Sequence, residues 1–229
     1  MNEINFDKEI EIAIKAAKSA GNFLNEDKNN LNLKIKSNPK DTKLMADIKS
    51  EKLILDILNS ESNYPVLAEE SGKSSENLGE IFWVVDPLDG TANYNRNIPI
   101  CCVSIGLVKN TKPLIGVIFD FNNDDIFIGD NINKLARLNN KKIMVSDIHN
   151  RSEGVLITGL PFNTDYSDNA LKKLISDMQT WKKVRMIGSA AMASCYVASG
   201  KAELYKEKGI YLWDIIAGAA IVESAGGKA

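Results

Sequence analysis

The run Ile81–Val85, IFWVV, passes without a break into Asp86-Pro87-Leu88-Asp89-Gly90-Thr91, and this junction constrains the fold more than any other part of the chain. A continuous apolar run of this kind suits a strand buried on both faces, as in the middle of a covered sheet. Proline at 87 disfavours helical angles at the residue before it, so the strand is expected to extend through Asp86 and present its carboxylate at the strand's end. Asp89-Gly90 then turns the chain. Two carboxylates this close repel one another, and a cation or a shared proton makes the arrangement tolerable. If Thr91 to Tyr94 opens a helical turn, the backbone N–H groups of Gly90 and Thr91 point outward and favour an anion beside the acids. Asp-Pro and Asp-Gly taken singly are ordinary turn dipeptides; their combination at the end of a buried strand is what asks for a partner.

Around this junction the patterning is that of a mixed α and β protein. Phe6, Ile10, Ile14, Ala17, Gly21 and Leu24 recur at helical spacing and predict an amphipathic helix covering a sheet. Leu31, Leu33 and Ile35 alternate as in a short strand, and SNPKD breaks the pattern before a second helix over about Lys43 to Asn59. Leu44, Ile48, Leu55 and Leu58 form its apolar stripe, with Asp47 and Glu51 on a neighbouring face. ICCVSIGLV, LIGVIFD and DIFIG predict an antiparallel meander. The second half reads as strand GVLIT, a helix over about Asp168 to Thr180, strand KVRMI, a helix over about Ser189 to Ala198, strand AELY and a last helix over about Trp213 to Ser224. A boundary near Lys141 to Ser152 divides the meander-rich part from the alternating part.

Composition closes off several classes of function. With 28 basic and 30 acidic residues in 229, the formal charge of −2 points to neither a nucleic-acid polymer nor an anionic membrane surface. No apolar run approaches the length of a membrane span, and MNEINFDKEI lacks the apolar core of a signal peptide, so a cytoplasmic protein is expected. Cys101, Cys102 and Cys195 have no CxxC spacing and apolar neighbours, which reads as reduced core residues. His149, the one histidine, lies among polar residues as a solvated loop side chain, and HExxH zinc chemistry is excluded. GxxxxGK[ST], GxGxxG and GxSxG are absent, leaving nucleotide cradles and serine triads without support. What remains is acidic: Asp86 and Asp89, Glu69 and Glu70 in VLAEESG, and Asp214 in LWDIIAGAA, for which an N-cap or first-turn acid is the plain alternative. Hard oxygen donors without imidazole or thiolate suit Mg²⁺.

LAEES, WVVDPLDGTANY, GSAAMA and EKGIYLWDIIAGAAIVESAGG resemble, in order and spacing, the inositol monophosphatase family of Mg²⁺-dependent, lithium-sensitive sugar phosphatases, over about Lys36 to Gly227. The resemblance implies an α+β fold, a layered αβαβα sandwich of the sugar phosphatase type, usually a homodimer. Within it, residues 1–140 would form an N-terminal α+β lobe carrying most metal ligands. Residues 141–229 would form a C-terminal α/β lobe with the substrate-side residues, the two making one phosphatase unit. By resemblance, Glu69, Asp86, Asp89 and Asp214 and the carbonyl of Leu88 bind metal, and Glu70 touches it through water. Thr91 and Asp47 match the pair that orients and deprotonates the attacking water. Gly90 and Thr91 would hold phosphate through backbone N–H groups; Gly188, Ser189 and Ala190 would contact substrate; Glu207 and Asp214 would face the sugar; Lys36 aligns with a basic residue near the site.

The activity so implied is hydrolysis of a small phosphate monoester, inositol monophosphate or a related sugar phosphate, with no membrane or nucleic-acid partner. Ala92, Asn93 and Tyr94 after DGT look like those of inositol phosphatases. A 3'(2'),5'-bisphosphate nucleotidase is the enzymatic alternative, and a non-catalytic binding protein that keeps the fold is the alternative outside enzymes. The sequence stops at AGGKA where relatives continue with further strand and helix, so a C-terminal edge unlike the family's is expected, with all metal-ligand positions upstream of it.

Overall fold

A computed structural model describes residues 5–38, 41–160 and 165–229. Along the chain run α1 (Asp7–Glu26), α2 (Lys28–Leu31), β1 (Lys34–Asn38), β2 (Asp41–Leu44), α3 (Met45–Glu61), β3 (Val66–Ala68), β4 (Gly72–Lys73), β5 (Ile81–Asp89) and α4 (Thr91–Asn95). There follow β6 (Cys102–Lys109), β7 (Lys112–Asp120), β8 (Asp125–Asp130), β9 (Leu135–Leu138), β10 (Lys141–Lys142), β11 (Val155–Thr158), α5 (Asp168–Gln179), β12 (Lys183–Met186), α6 (Ala190–Ala198), β13 (Leu204–Lys206) and α7 (Leu212–Ser224).

The large sheet has eight strands in the order β10-β9-β8-β7-β6-β5-β3-β4; β5 through β10 form an antiparallel meander, of which β6, β7 and β8 are the strands expected from the sequence and β9 and β10 extend it. β3 runs parallel to β5, which places the residue after β3 beside the last residues of β5. α1 and α3 pack on one face of this sheet and α7 with α6 on the other; a three-stranded parallel sheet, β12-β11-β13, lies beyond α6, with α5 outermost. The layers are therefore α, β, α, β, α. Trp83 and Val85 point into the core shared with α1 and α3, whereas Val84 packs with Ile216 of α7. Asp86, two residues on from Val84, faces α7 as well.

A row of glycines lets α7 approach. Gly106, Gly116 and Gly129 stand opposite one another across β6, β7 and β8. A Cβ on Gly116 would lie 2.0 Å from the carbonyl oxygen of Ala217, and one on Gly129 2.5 Å from Cα of Ile221. The backbone of α7 thus rests in a trough that any side chain would fill, and this fixes the position of Asp214 in its first turn.

Several boundaries differ from the sequence reading. Leu31 ends α2, so the short strand starts at Lys34 and pairs with β2; Pro39 and Lys40, in the expected break, lie outside the described residues. α3 begins at Met45, because Leu44 still belongs to β2. Of the expected stripe Leu44 and Leu58 are buried and Leu55 half-buried, but Ile48 is exposed, while Asp47 and Glu51 on the neighbouring face are 2% and 3% accessible. These acids turn inward because the end of β5 and the turn after β3 offer them hydrogen-bond donors. β5 runs on to Asp89 rather than ending at Asp86, with an irregular register between the two, and β13 covers Leu204–Lys206 rather than AELY. Cys101, Cys102 and Cys195 are free and fully buried, and His149 is exposed, as read from the sequence. Among the described residues no helix is long and apolar enough to cross a membrane.

If the glycine trough sets the α7 position, Gly116→Ala should lower the unfolding free energy by about 1–3 kcal/mol through overpacking, read as an earlier urea midpoint. An unchanged midpoint would contradict this account of the packing.

Candidate active site

Three structural devices bring the acids together. Parallel pairing of β3 with β5 sets Glu69, in the turn after β3, beside the β5 terminus, where its N–H donates to the Val85 carbonyl at 3.1 Å. The irregular end of β5 delivers Asp86 and Asp89, which are 2% and 9% accessible. Docking of α7 against β5 brings Asp214 near enough for its charge to raise the pKa of Glu69, Asp86 and Asp89. The four carboxylates sense one another. Burial raises the pKa of Asp86 well above the ordinary carboxylate value, and the charges of Glu69, Asp89 and Asp214 raise it further. Glu69 is pushed up to about 8, first by desolvation and then by Asp47, Asp214 and Asp89, against the lowering effect of a hydrogen bond with Asp86. Its side chain keeps an opening to solvent, so it stands at the mouth of the cluster. Asp89 is raised to about 6 by burial despite its hydrogen-bond donors, and burial raises Asp214 in the face of the Tyr211 N–H.

Individual hydrogen bonds set the orientation of each acid. Asp86 Oδ1 accepts from the Leu88 N–H at 3.0 Å. Asp89 Oδ2 accepts from the Ala191 N–H at 2.8 Å and from the Ser189 hydroxyl, so this carboxylate joins the end of β5 to the start of α6. Asp214 Oδ2 accepts from the Tyr211 N–H at 2.6 Å, which is also the first-turn capping role read from the sequence. The Thr91 hydroxyl lies 2.9 Å from Asp47 Oδ1 and 3.0 Å from the Leu88 carbonyl, donating to one at a time. Asp47 also accepts from the Leu44 N–H at 2.6 Å, and burial raises it to about 6. Gly90 has the left-handed φ of 89° that lets β5 turn directly into α4, and a Cβ there would meet the Ile100 carbonyl at 2.8 Å.

On the far side, Glu207 lies over the end of β11, where a Cβ on Gly159 would be 2.3 Å from its Oε2. Tyr205 donates its hydroxyl to that oxygen at 3.0 Å, and the pKa of Glu207 is raised by burial and by Asp214. Gly188 is in the left-handed region, φ 71°, and Ser189 caps α6 by accepting from the Met192 N–H. Glu70 is held by an ion pair with Lys43 rather than turned into the cluster. Lys36 is exposed on β1 and makes no ion pair among the described residues.

Two further groups belong to the site and were not singled out for it from the sequence. Glu51 accepts the N–H groups of Glu70 and Ser71 at 2.8 and 2.9 Å, clamping the turn that carries Glu69. Its spacing of four from Asp47 was the only signal. Ser104, opposite Asp86 across the β5–β6 pair, has a buried hydroxyl without a partner among the described residues. As the side chains stand, no three His, Cys, Asp or Glu residues among those described close around one point as a ligand set; Asp89 and Asp214 face N–H donors instead. In donor chemistry the cluster fits Mg²⁺: carboxylates and a carbonyl with no imidazole, beside an unpartnered hydroxyl.

Comparison with known proteins agrees with this fold and arrangement of motifs. Residues 5–229 match the sequence profile of the inositol monophosphatase family. The chain is 37% identical to a Nus factor SuhB of Xylella fastidiosa, over 95% of this chain and 80% of that protein. It is 32% identical to inositol monophosphatase 1 of Rattus norvegicus, over 95% and 81%. The solved inositol monophosphatase of Anabaena (Nostoc) sp. PCC 7120 superposes with a TM-score of 0.87 at 36% identity, covering 98% of this chain and 84% of the other.

Mutual repulsion in the cluster makes a stability prediction. Asp86→Asn should be more stable than the wild type in chelator by about 1 kcal/mol, about 2–4 °C in Tm for a chain this size, and should lose the rise in Tm that Mg²⁺ gives the wild type. A variant less stable than the wild type in chelator would argue that the acids are not strained against one another.

Proposed function

The chain belongs to the inositol monophosphatase family, and from that premise we propose that it is a Mg²⁺-dependent phosphomonoesterase acting on inositol monophosphate or a related sugar phosphate. The observation that carries this reading is the Thr91–Asp47 pair, 2.9 Å apart, at the end of the strand that bears Asp86 and Asp89. A hydroxyl backed by a buried carboxylate, next to acids that repel one another, is what activation of a water requires.

Glu69, Asp86, Asp89, Asp214 and the Leu88 carbonyl would hold Mg²⁺, which when bound supplies charge neutralisation and a lowered pKa for water. Asp47 accepts the Thr91 hydroxyl, leaving a lone pair of Thr91 Oγ1 to receive a hydrogen bond from the attacking water. With its pKa at about 6, Asp47 is ionised at neutral pH and able to take the proton that passes through Thr91. Gly90 and Thr91 would bind the phosphate through backbone N–H groups, and Gly188, Ser189 and Ala190 would line the opposite wall. Glu207, held by Tyr205, would accept sugar hydroxyls, while Asp214 stands near the leaving oxygen. The water attacks phosphorus directly and no covalent phosphoenzyme forms; catalysis is positioning and electrostatic stabilisation.

The proposal extends to a lithium-sensitive cytoplasmic homodimer, the family's usual form. A bisphosphate nucleotidase is the second enzymatic reading. A binding role without turnover draws support from one observation, the name Nus factor carried by a relative 37% identical to this chain.

Phosphate release from inositol 1-phosphate and from 3'-phosphoadenosine 5'-phosphate, with and without Mg²⁺, tests the reading. The expected result is Mg²⁺-dependent release favouring the inositol ester, loss of turnover in Asp89→Asn, and a fall in kcat of about 10²–10⁴ in Thr91→Ala. Near-normal turnover in Asp89→Asn would overturn the metal assignment; preference for the nucleotide would exchange the two enzymatic readings; no release from either by the folded wild type would favour the binding role.

A further inference from the structure

The loop at Gly188–Ala190 is held to the β5 terminus by two side chains of different kinds. Asp89 takes the N–H and hydroxyl donors on the C-terminal side of Gly188, those of Ser189 and Ala191. Asn93, in α4 two residues after Thr91, takes the acceptors on the N-terminal side. Its Nδ2 lies 2.8 Å from the Ile187 carbonyl and 3.3 Å from the Gly188 carbonyl. The same amide nitrogen is 2.8 Å from the Ile100 carbonyl, which ties it to the segment leading into β6. Two N–H bonds are thus placed among three carbonyls from segments far apart in sequence. The fit is close: a Cβ on Gly188 would come within 3.2 Å of Asn93 Nδ2 and 3.3 Å of Oδ1.

We propose that Asn93 is a positioning residue: its amide sets the height of the Gly188–Ala190 loop above the Asp89–Thr91 turn, and so the width of the cleft in which the phosphate ester binds. The chemistry of the two anchors explains why both are needed. Asp89 is assigned to metal as well as to the start of α6, and a carboxylate shared between a cation and N–H donors divides its acceptor strength. Asn93 is neutral and donates to carbonyls, so it has no part in that competition. It contacts no reacting atom, and its effect passes through the backbone of residues 187 and 188. The inference rests on the phosphatase reading for its consequence in turnover, but the latch itself stands on the hydrogen bonds alone.

The test uses Asn93→Ala, which removes the amide, and Asn93→Asp, which keeps its size but cannot donate. Amide hydrogen exchange is measured over residues 187–191, together with KM, kcat, inhibition by inorganic phosphate and the Mg²⁺ concentration for half activation. In both variants exchange over 187–191 should be faster by about tenfold or more, the scale of one net hydrogen bond. KM and the phosphate inhibition constant should rise together by a similar factor, with kcat and the Mg²⁺ requirement within about twofold of wild type and the thermal transition still cooperative. Wild-type exchange in folded variants would remove the latch. Faster exchange with unchanged KM and phosphate inhibition would leave Asn93 without the positioning role, and a shift in kcat or Mg²⁺ requirement as large as that in KM would make its role merely structural. A wild type inactive on every monoester tried would instead overturn the phosphatase reading, and with it the claim about substrate, whatever the exchange showed.

Discussion

Four carboxylates are held around the end of one strand, close enough that the charges of its neighbours raise the pKa of Asp86, and the rest of the structure can be understood as the frame that keeps them there. Asp86 and Asp89 come from the end of a single strand, Glu69 from the turn after its parallel neighbour, and Asp214 from the helix on the opposite face. Desolvation pushes all four away from their ionised forms, and the charges of their neighbours add to it at Glu69, Asp86 and Asp89. Neutralisation of that charge is the natural purpose of such a cluster, because a chain gains nothing in stability by burying like charges together.

The frame is stiff where it has to be. The glycine row across β6, β7 and β8 lets the α7 backbone touch the sheet, so Asp214 cannot move away from Asp86 without lifting a whole helix. Glu51 reaches from α3 to clamp the turn bearing Glu69. Asp89 and Asn93 hold the start of α6 from two directions. Glu51 and Asp89 are buried and Asn93 half-buried, each with its partners in place, and together they specify geometry more than they add stability.

Much of this was legible in the sequence, and the exceptions have physical causes. The apolar run before Asp86 and the proline after it announced a buried strand ending in a carboxylate, and the alternating second half gave its helices and strands almost to the residue. Asp47 and Glu51 were not legible as buried groups. Acids four apart on a helix look like a solvated face, and only the approach of the β5 terminus and the Glu69 turn decides otherwise. Ile48 misleads in the opposite sense, since it continues an apolar stripe yet is exposed. The glycines of the trough are single residues in three separate strands, and their common function exists only in the register of the sheet. That Glu69, Asp89 and Glu207 each sense the charge of Asp214 likewise follows from the fold and not from the spacing of the motifs.

The most direct test of the central claim is crystallographic: anomalous scattering from crystals of the protein soaked in Mn²⁺ as a stand-in for Mg²⁺. The account predicts strong peaks among Glu69, Asp86, Asp89 and Asp214, with the Leu88 carbonyl in reach of one of them. Full occupancy elsewhere and none among these carboxylates would contradict it.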